Sequence, residues 1–211
     1  MVLFSNQVVV ALENARIYEA LEARIAERTQ ELQQANRQLA EQAKALREQS
    51  IRDSLTGLHN RRYFNEILPV LFERSQQKQA PLTLACLDID HFKQINDSVF
   101  HTGGDQVLRS FAEVLQQHIR ETDSIARIGG EEFALLLPHT DLRQAIQLCE
   151  RLRQRIANHD WQTIAPNLKV TVSIGLAEAG SYQSAQELLH HADTRLYIAK
   201  RLGRNQVVAA E

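Results

Sequence analysis

Cysteine is nearly missing from this chain of 211 residues: only Cys86 and Cys149 occur. The first lies in an apolar run and the second on an apolar helical face, which is the setting of buried thiols in a reducing cytosol, and no disulfide framework is readable. An excess of charge is missing too. Twenty-four Lys and Arg stand against 26 Asp and Glu, for a net charge of −2, so there is no basic field for nucleic acid and no polybasic membrane anchor. An anionic ligand therefore has to be held locally. Long apolar runs are absent as well: residues 8–12 fall far short of the ~20 needed to span a bilayer. These absences predict a cytoplasmic chain with no nucleic-acid partner and no direct membrane contact of its own, whatever a longer parent protein carries upstream. The eight histidines have no metal-ligand spacing, and His190-His191 reads as a solvated helix position.

Glycine and proline are absent from residue 6 to about residue 50, where Ala, Leu, Glu, Gln and Arg dominate. Propensity and length both predict one continuous helix, about 65 Å long at 1.5 Å per residue. A 4-3 spacing places Tyr18, Ile25, Leu32, Leu39 and Leu46 at a and Leu21, Arg28, Ala35, Gln42 and Gln49 at d. Such a helix either lies solvated on its own domain or pairs in a parallel dimeric coiled coil. The coil is favoured, because so long a helix with one narrow apolar stripe has nowhere else to bury it.

The chain beyond this helix can fill one core, since 44% of all residues are hydrophobic. Tyr63, Phe64, Ile67, Leu68, Leu71 and Phe72 recur at helical spacing. Residues 82–87 form a short apolar run ending at Asp88, the pattern of a central strand buried on both faces. Stripes over residues 107–119 and 142–156 mark two further helices. Leu168, Val170, Val172, Ile174 and Leu176 alternate strictly, predicting a half-buried strand. Ser184 and Glu187 predict a capping box for a helix running through Lys200 and stopped at Gly203, with a last short strand at residues 206–209. The order β-α-β-β-α-β is an α+β, ferredoxin-like split βαβ pattern.

Residues 124–128 meet Gly129-Gly130 and continue as the apolar run 133–137, which predicts two strands joined by a two-residue turn with positive φ at the glycines. Taken alone, Glu131 and Glu132 read as solvated residues beside that turn. A second acidic cluster, Asp88-Ile89-Asp90, ends another strand, and a hard divalent cation needs oxygen ligands converging from more than one element. The topology can bring Asp88 and Glu131 to one sheet edge, where two carboxylates suit Mg²⁺, the rest of its shell left to a backbone carbonyl, water and phosphate oxygens. The loop His91-Phe92-Lys93 offers amides to phosphate. Lys200 and Arg204, four apart on the last helical turn, either compensate the helix dipole or face the same phosphates.

Residues 53–64 (DSLTGLHNRRYF), 88–97 (DIDHFKQIND), 104–105 (GD), 127–133 (RIGGEEF), 173–175 (SIG) and 192–205 (ADTRLYIAKRLGRN) resemble, in order, the successive signatures of the diguanylate cyclase (GGDEF) family, here in its GGEEF spelling. The resemblance covers essentially all of residues 51–211. It implies a nucleotidyl cyclase-like domain over 51–211 behind a signalling helix over 1–50. The implied activity is condensation of two GTP into cyclic di-GMP with release of two pyrophosphates, in a homodimer with Mg²⁺ (or Mn²⁺). The alternative is a catalytically silent module that binds cyclic di-GMP or GTP. By the same resemblance Asp88, the Ile89 carbonyl and Glu131 are metal ligands. Asp88, Glu131 and Glu132 are catalytic, with Glu131 a candidate base. Phe92, Lys93, Asn96, Asp105, Lys200 and Arg204 bind substrate, Asn96 and Asp105 at guanine-reading positions. An ionised Asp105 only accepts hydrogen bonds, so it suits guanine's N1–H and N2–H₂ donors and opposes adenine's N1 lone pair. Arg120 and Asp123 match the family's R-x-x-D site for inhibition by product, with Arg151 as a third contact. One departure is Phe100, where the family usually carries glycine; if that position needs positive φ, the loop bearing Asn96 and Asp105 is strained. Residues 7–21 resemble the last helix of a GAF-type sensor, which predicts that the chain begins partway through a larger receptor.

Overall fold

The computed structural model describes residues 2–98 and 103–209, so Phe100 and His101 lie outside the described residues. The chain divides into two compact units, Met1–Ser50 and Ile51–Glu211. Helix α1 (Val2–Ile51) is unbroken, as expected where nothing interrupts good helix formers. Along its apolar seam Tyr18, Leu21, Ile25, Leu32, Leu39 and Leu46 are each more than half exposed.

The second unit is built on six strands. They are β1 (His59–Asn60), β2 (Leu82–Ile89), β3 (Ser124–Arg127), β4 (Glu132–Pro138), β5 (Val172–Glu178) and β6 (Val207–Val208), in the spatial order β1-β3-β4-β2-β5-β6. The four longer strands pair antiparallel throughout, which is the ferredoxin-like arrangement. The two-residue strands β1 and β6 add in parallel at the edges. Helices α4 (Gly103–Gln116) and α5 (Leu142–Ala157) cover one face around Phe111, Phe133, Leu135 and Trp161. Helices α2 (Arg61–Lys78) and α6 (Ala185–Arg201) cover the other around Phe64, Leu84, Leu136 and Leu188. Asn60 caps α2 by accepting from the Tyr63 amide at 3.1 Å, and Asp141 with Gln144 forms a capping box on α5. At α6, Ser184 accepts from the Glu187 amide, but Glu187 reaches back to the Gln183 amide, so only half of the expected box forms. Both cysteines are fully buried, Cys86 in the α2/α6 core and Cys149 in the other.

Three local expectations change. The strand predicted from residue 168 begins at Val172, and it is buried on both faces. Its alternation comes from size: Val172, Ile174 and Leu176 fill one core, while Ser173, Gly175 and Ala177 let α6 come close on the other side. Phe92 and Lys93 lie in a short helix, α3 (Phe92–Ser98), not in a loop; His91, with φ 56°, makes the turn into it. Neither Gly129 nor Gly130 has positive φ. The turn is longer than two residues, with the Ile128 amide donating to the Glu132 carbonyl at 2.9 Å.

Gly175 is crowded by backbone, which cannot swing aside as a side chain can. A Cβ there would lie 2.1 Å from the Leu196 nitrogen and 2.2 Å from the Ala192 oxygen, both backbone atoms of α6. Gly175→Ala must push the helix off the sheet, and overpacking of this kind costs about 1–3 kcal/mol or more. The expected result is a lower urea midpoint at unchanged slope. An unchanged midpoint would show that α6 does not rest on this glycine.

Candidate functional site

The site forms where β2 runs out. Asp88 is the partner of Glu132 in the β2–β4 register, and the Ile89 amide donates to the Glu131 carbonyl at 3.2 Å, so the β3–β4 turn folds beside the end of the central strand. Asp88 is 6% exposed. Burial pushes its carboxyl up to about 6; the Lys200 ammonium, 2.7 Å away, pulls the other way, and the Glu131 and Glu132 carboxylates push it up further. A buried carboxylate that has drawn in an ammonium beside two more acids is a place that calls for positive charge. Among the described residues no group of three His, Cys, Asp or Glu side chains is placed to hold a metal ion by itself. The residues present therefore suit a cation that takes few protein ligands and fills its shell from backbone, water and phosphate, which is the habit of Mg²⁺.

The turn is held from behind. Arg127 donates twice to the Gly130 carbonyl, at 2.9 and 3.1 Å, and also to Asp53 at 3.1 Å. Asp53 in turn accepts from the Thr56 amide and hydroxyl. Burial opposes ionisation of Asp53, but the Thr56 bonds and the Arg127 guanidinium outweigh it and hold the carboxyl below its usual value. Of the two glycines Gly129 is the crowded one: a Cβ on it would meet Glu132 Oε2 at 2.3 Å, whereas one on Gly130 would meet nothing within 4 Å.

Asp90, two residues on from Asp88, is not a free member of the acidic cluster. Its oxygens accept from Thr171 Oγ1 at 2.7 Å, Ser173 Oγ at 2.6 Å and the Asn205 amide at 2.9 Å, so it ties β2 to β5 and to the loop after α6. Phe92 points into the core at 7% exposure, which leaves only its backbone for a ligand, while Lys93 and Asn96 are exposed on α3. Asn96 Oδ1 lies so close to Gly104 that a Cβ there would sit 1.7 Å from it. Exposed Asp105, in the first turn of α4, follows directly. Lys200 and Arg204 do not share a helical turn. Helix α6 ends at Arg201, Gly203 has φ 114°, and Arg204, exposed with φ 65°, donates its amide to the Ala199 carbonyl. Lys200 is engaged with Asp88, which is more than dipole compensation.

Arg120 and Asp123 lie away from this edge, in the turn between α4 and β3. Asp123 Oδ2 accepts from the Arg120 amide at 3.0 Å. Its Oδ1 is buried and makes no hydrogen bond among the described residues. Burial pushes the Asp123 carboxyl up, against the Arg120 amide and charge. Arg151 is exposed on α5, and no bond among the described residues ties it to this pair.

Sequence reasoning missed Arg127 as the clamp of the turn, and missed Asn205 and Arg153, whose guanidinium donates to Asn205 Oδ1 at 2.8 Å. The only signal for Arg127 was its place beside the glycines.

The family model for "Diguanylate cyclase, GGDEF domain" matches residues 50–206. The chain is 42% identical over 165 residues to the response regulator PleD of Caulobacter vibrioides, covering 76% of this chain and 36% of that protein. It is 42% identical over 164 residues to the diguanylate cyclase DgcP of Pseudomonas aeruginosa, covering 78% of this chain and 24% of that one. It thus spans about a quarter to a third of the length of these curated relatives. The crystal structure of the coiled coil and GGDEF domain of DgcB from Caulobacter crescentus, in complex with c-di-GMP, superposes with a TM-score of 0.76 at 33% identity, over 90% of this chain and 99% of that one. By its sequence match and by its fold, the chain belongs to the GGDEF-domain family of diguanylate cyclases.

Proposed function

We propose that residues 51–211 bind GTP at the end of β2 and that two such domains, face to face, condense two GTP into cyclic di-GMP. The observation that carries this reading is the buried Asp88 carboxyl, raised to about 6 and paired with Lys200 beside the Glu131–Glu132 turn. In each half-reaction the 3′-oxygen of one GTP forms a bond to the α-phosphorus of the other. The bond to the β-phosphate bridge breaks, pyrophosphate leaves, and the hydroxyl proton passes to a base, for which Glu131 is the candidate. Asp88, the Ile89 carbonyl and Glu131 are the residues that would hold Mg²⁺ or Mn²⁺. When bound, the ion supplies polarisation of the α-phosphate and a lower pKa for the attacking hydroxyl. Lys200 and Arg204 serve the triphosphate. Asn96 and Asp105 read the guanine edge.

Each domain holds one substrate, so the rate depends on how often two domains meet. The bare seam of α1 supports a parallel coiled coil that supplies this encounter as effective concentration. At the separate Arg120–Asp123 turn, an exposed guanidinium suited to phosphate and a half-buried carboxylate suited to guanine N–H groups support product binding and feedback.

Purified protein incubated with GTP and Mg²⁺ should yield cyclic dinucleotide and pyrophosphate, and Glu131→Gln should abolish turnover while the thermal midpoint is kept. Binding of GTP by a dimeric sample with neither product would make the chain a receptor. Removal of residues 1–50 should leave a folded, mostly monomeric domain, much less active at low protein concentration; an unchanged sedimentation mass would refute the coil. Arg120→Ala should relieve product inhibition, and inhibition persisting undiminished would place that site elsewhere.

A further inference from the structure

Two consecutive residues of the loop after α6, Arg204 (φ 65°) and Asn205 (φ 47°), are held in the left-handed region without being glycine. Such a conformation persists only where the surroundings over-determine it, and here they do. The Arg204 amide and the Gln206 side chain both donate to the Ala199 carbonyl, the Gln206 carbonyl accepts from Ile174, and the Asn205 amide donates to Asp90. These bonds tie the turn to α6, β5 and Asp90. The Asn205 side chain is held by one residue from another element, Arg153 of α5, at 2.8 Å, and Arg153 is itself anchored by Glu150, with Nε to Oε2 at 2.9 Å.

Taking the proposed nucleotide site as its basis, we infer that Arg153 is a positioning residue for the triphosphate: through Asn205 it fixes the strained turn from which Arg204 reaches phosphate. The tether runs Glu150, Arg153, Asn205, Asp90, and its last member lies two residues from Asp88. Arg153 does not touch the nucleotide. Its planar fork can hold Glu150 and Asn205 together, which a lysine ammonium on a flexible stem reproduces poorly. A plain surface tether would serve stability alone. A positioning role instead makes its effect depend on Arg204.

Calorimetry on the full chain with Mg²⁺, a non-hydrolysable GTP analogue and GMP separates these cases. Arg153→Ala should weaken the analogue by about tenfold, as expected when one charge-assisted phosphate contact loses its aim. GMP, which lacks the β- and γ-phosphates, should change by no more than about twofold. In an Arg204→Ala background, Arg153→Ala should have no further effect on the analogue, because residues acting through one contact are non-additive. Hydrogen exchange at residues 203–206 should quicken in Arg153→Ala. Wild-type binding that is unaltered by Arg153→Ala, or an equal loss with and without Arg204, overturns the inference and leaves the nucleotide site standing. A wild-type chain that does not bind the analogue, while Arg153→Ala still frees the 203–206 amides, overturns the nucleotide site itself and with it the phosphate role of the tether.

Discussion

A buried carboxylate at the end of the central strand holds this domain's working edge together. Asp90 takes one hydroxyl bond from Ser173 of β5, one from Thr171 just before it, and one amide bond from the loop after α6. Hydrogen bonds to a charged group contribute about 1.5–3 kcal/mol each, and an unsatisfied partner costs more still. The end of β2, the start of β5 and the strained turn at Arg204 therefore have little freedom to move apart. Asp88, two residues earlier and so on the same side of the strand by the pleat, has the opposite surroundings: one ammonium and two further acids. Identical side chains two positions apart are thus divided between holding the edge and being available on it. Neutral donors satisfy the first, while burial, with two like charges beside it, opposes ionisation of the second against the pull of Lys200.

The same division recurs at the β3–β4 turn. Arg127 satisfies the Gly130 carbonyl and reaches Asp53, at the connection that enters the domain. This ion pair is largely buried, with side chains 15% and 22% exposed, and removing one partner would leave the other charge uncompensated, a heavier loss than a surface pair entails. The acidic residues of the turn are left outside this clamp, Glu131 half-buried and Glu132 exposed.

The order of elements was legible in the sequence because each long element carries its own period: the all-apolar run of β2, and the stripes of α4 and α5. The convergence of Asp88 with the Glu131 turn followed from that order. Short or non-local features were not legible. Helix α3 has seven residues and only Phe92 and Ile95 to mark a face, too few to separate it from a loop. Lys200 and Arg204 are correctly spaced for one helical turn, but Gly203 releases the chain first. The glycine pair looked like a positive-φ turn, but neither takes positive φ, and Gly129 instead lies close against the Glu132 side chain. Asp90–Asn205 and Arg153–Asn205 join residues 115 and 52 apart, and no local pattern announces such a pair.

The two-residue strands β1 and β6 finish the sheet on either side. A long bare edge is a template for another chain's strand, and short edge strands are one way proteins blunt it. The longer strands β3 and β5 each have their outer side partly taken by a neighbour that offers only two residues of its own. At each rim the outermost partner an incoming strand would meet is two residues long.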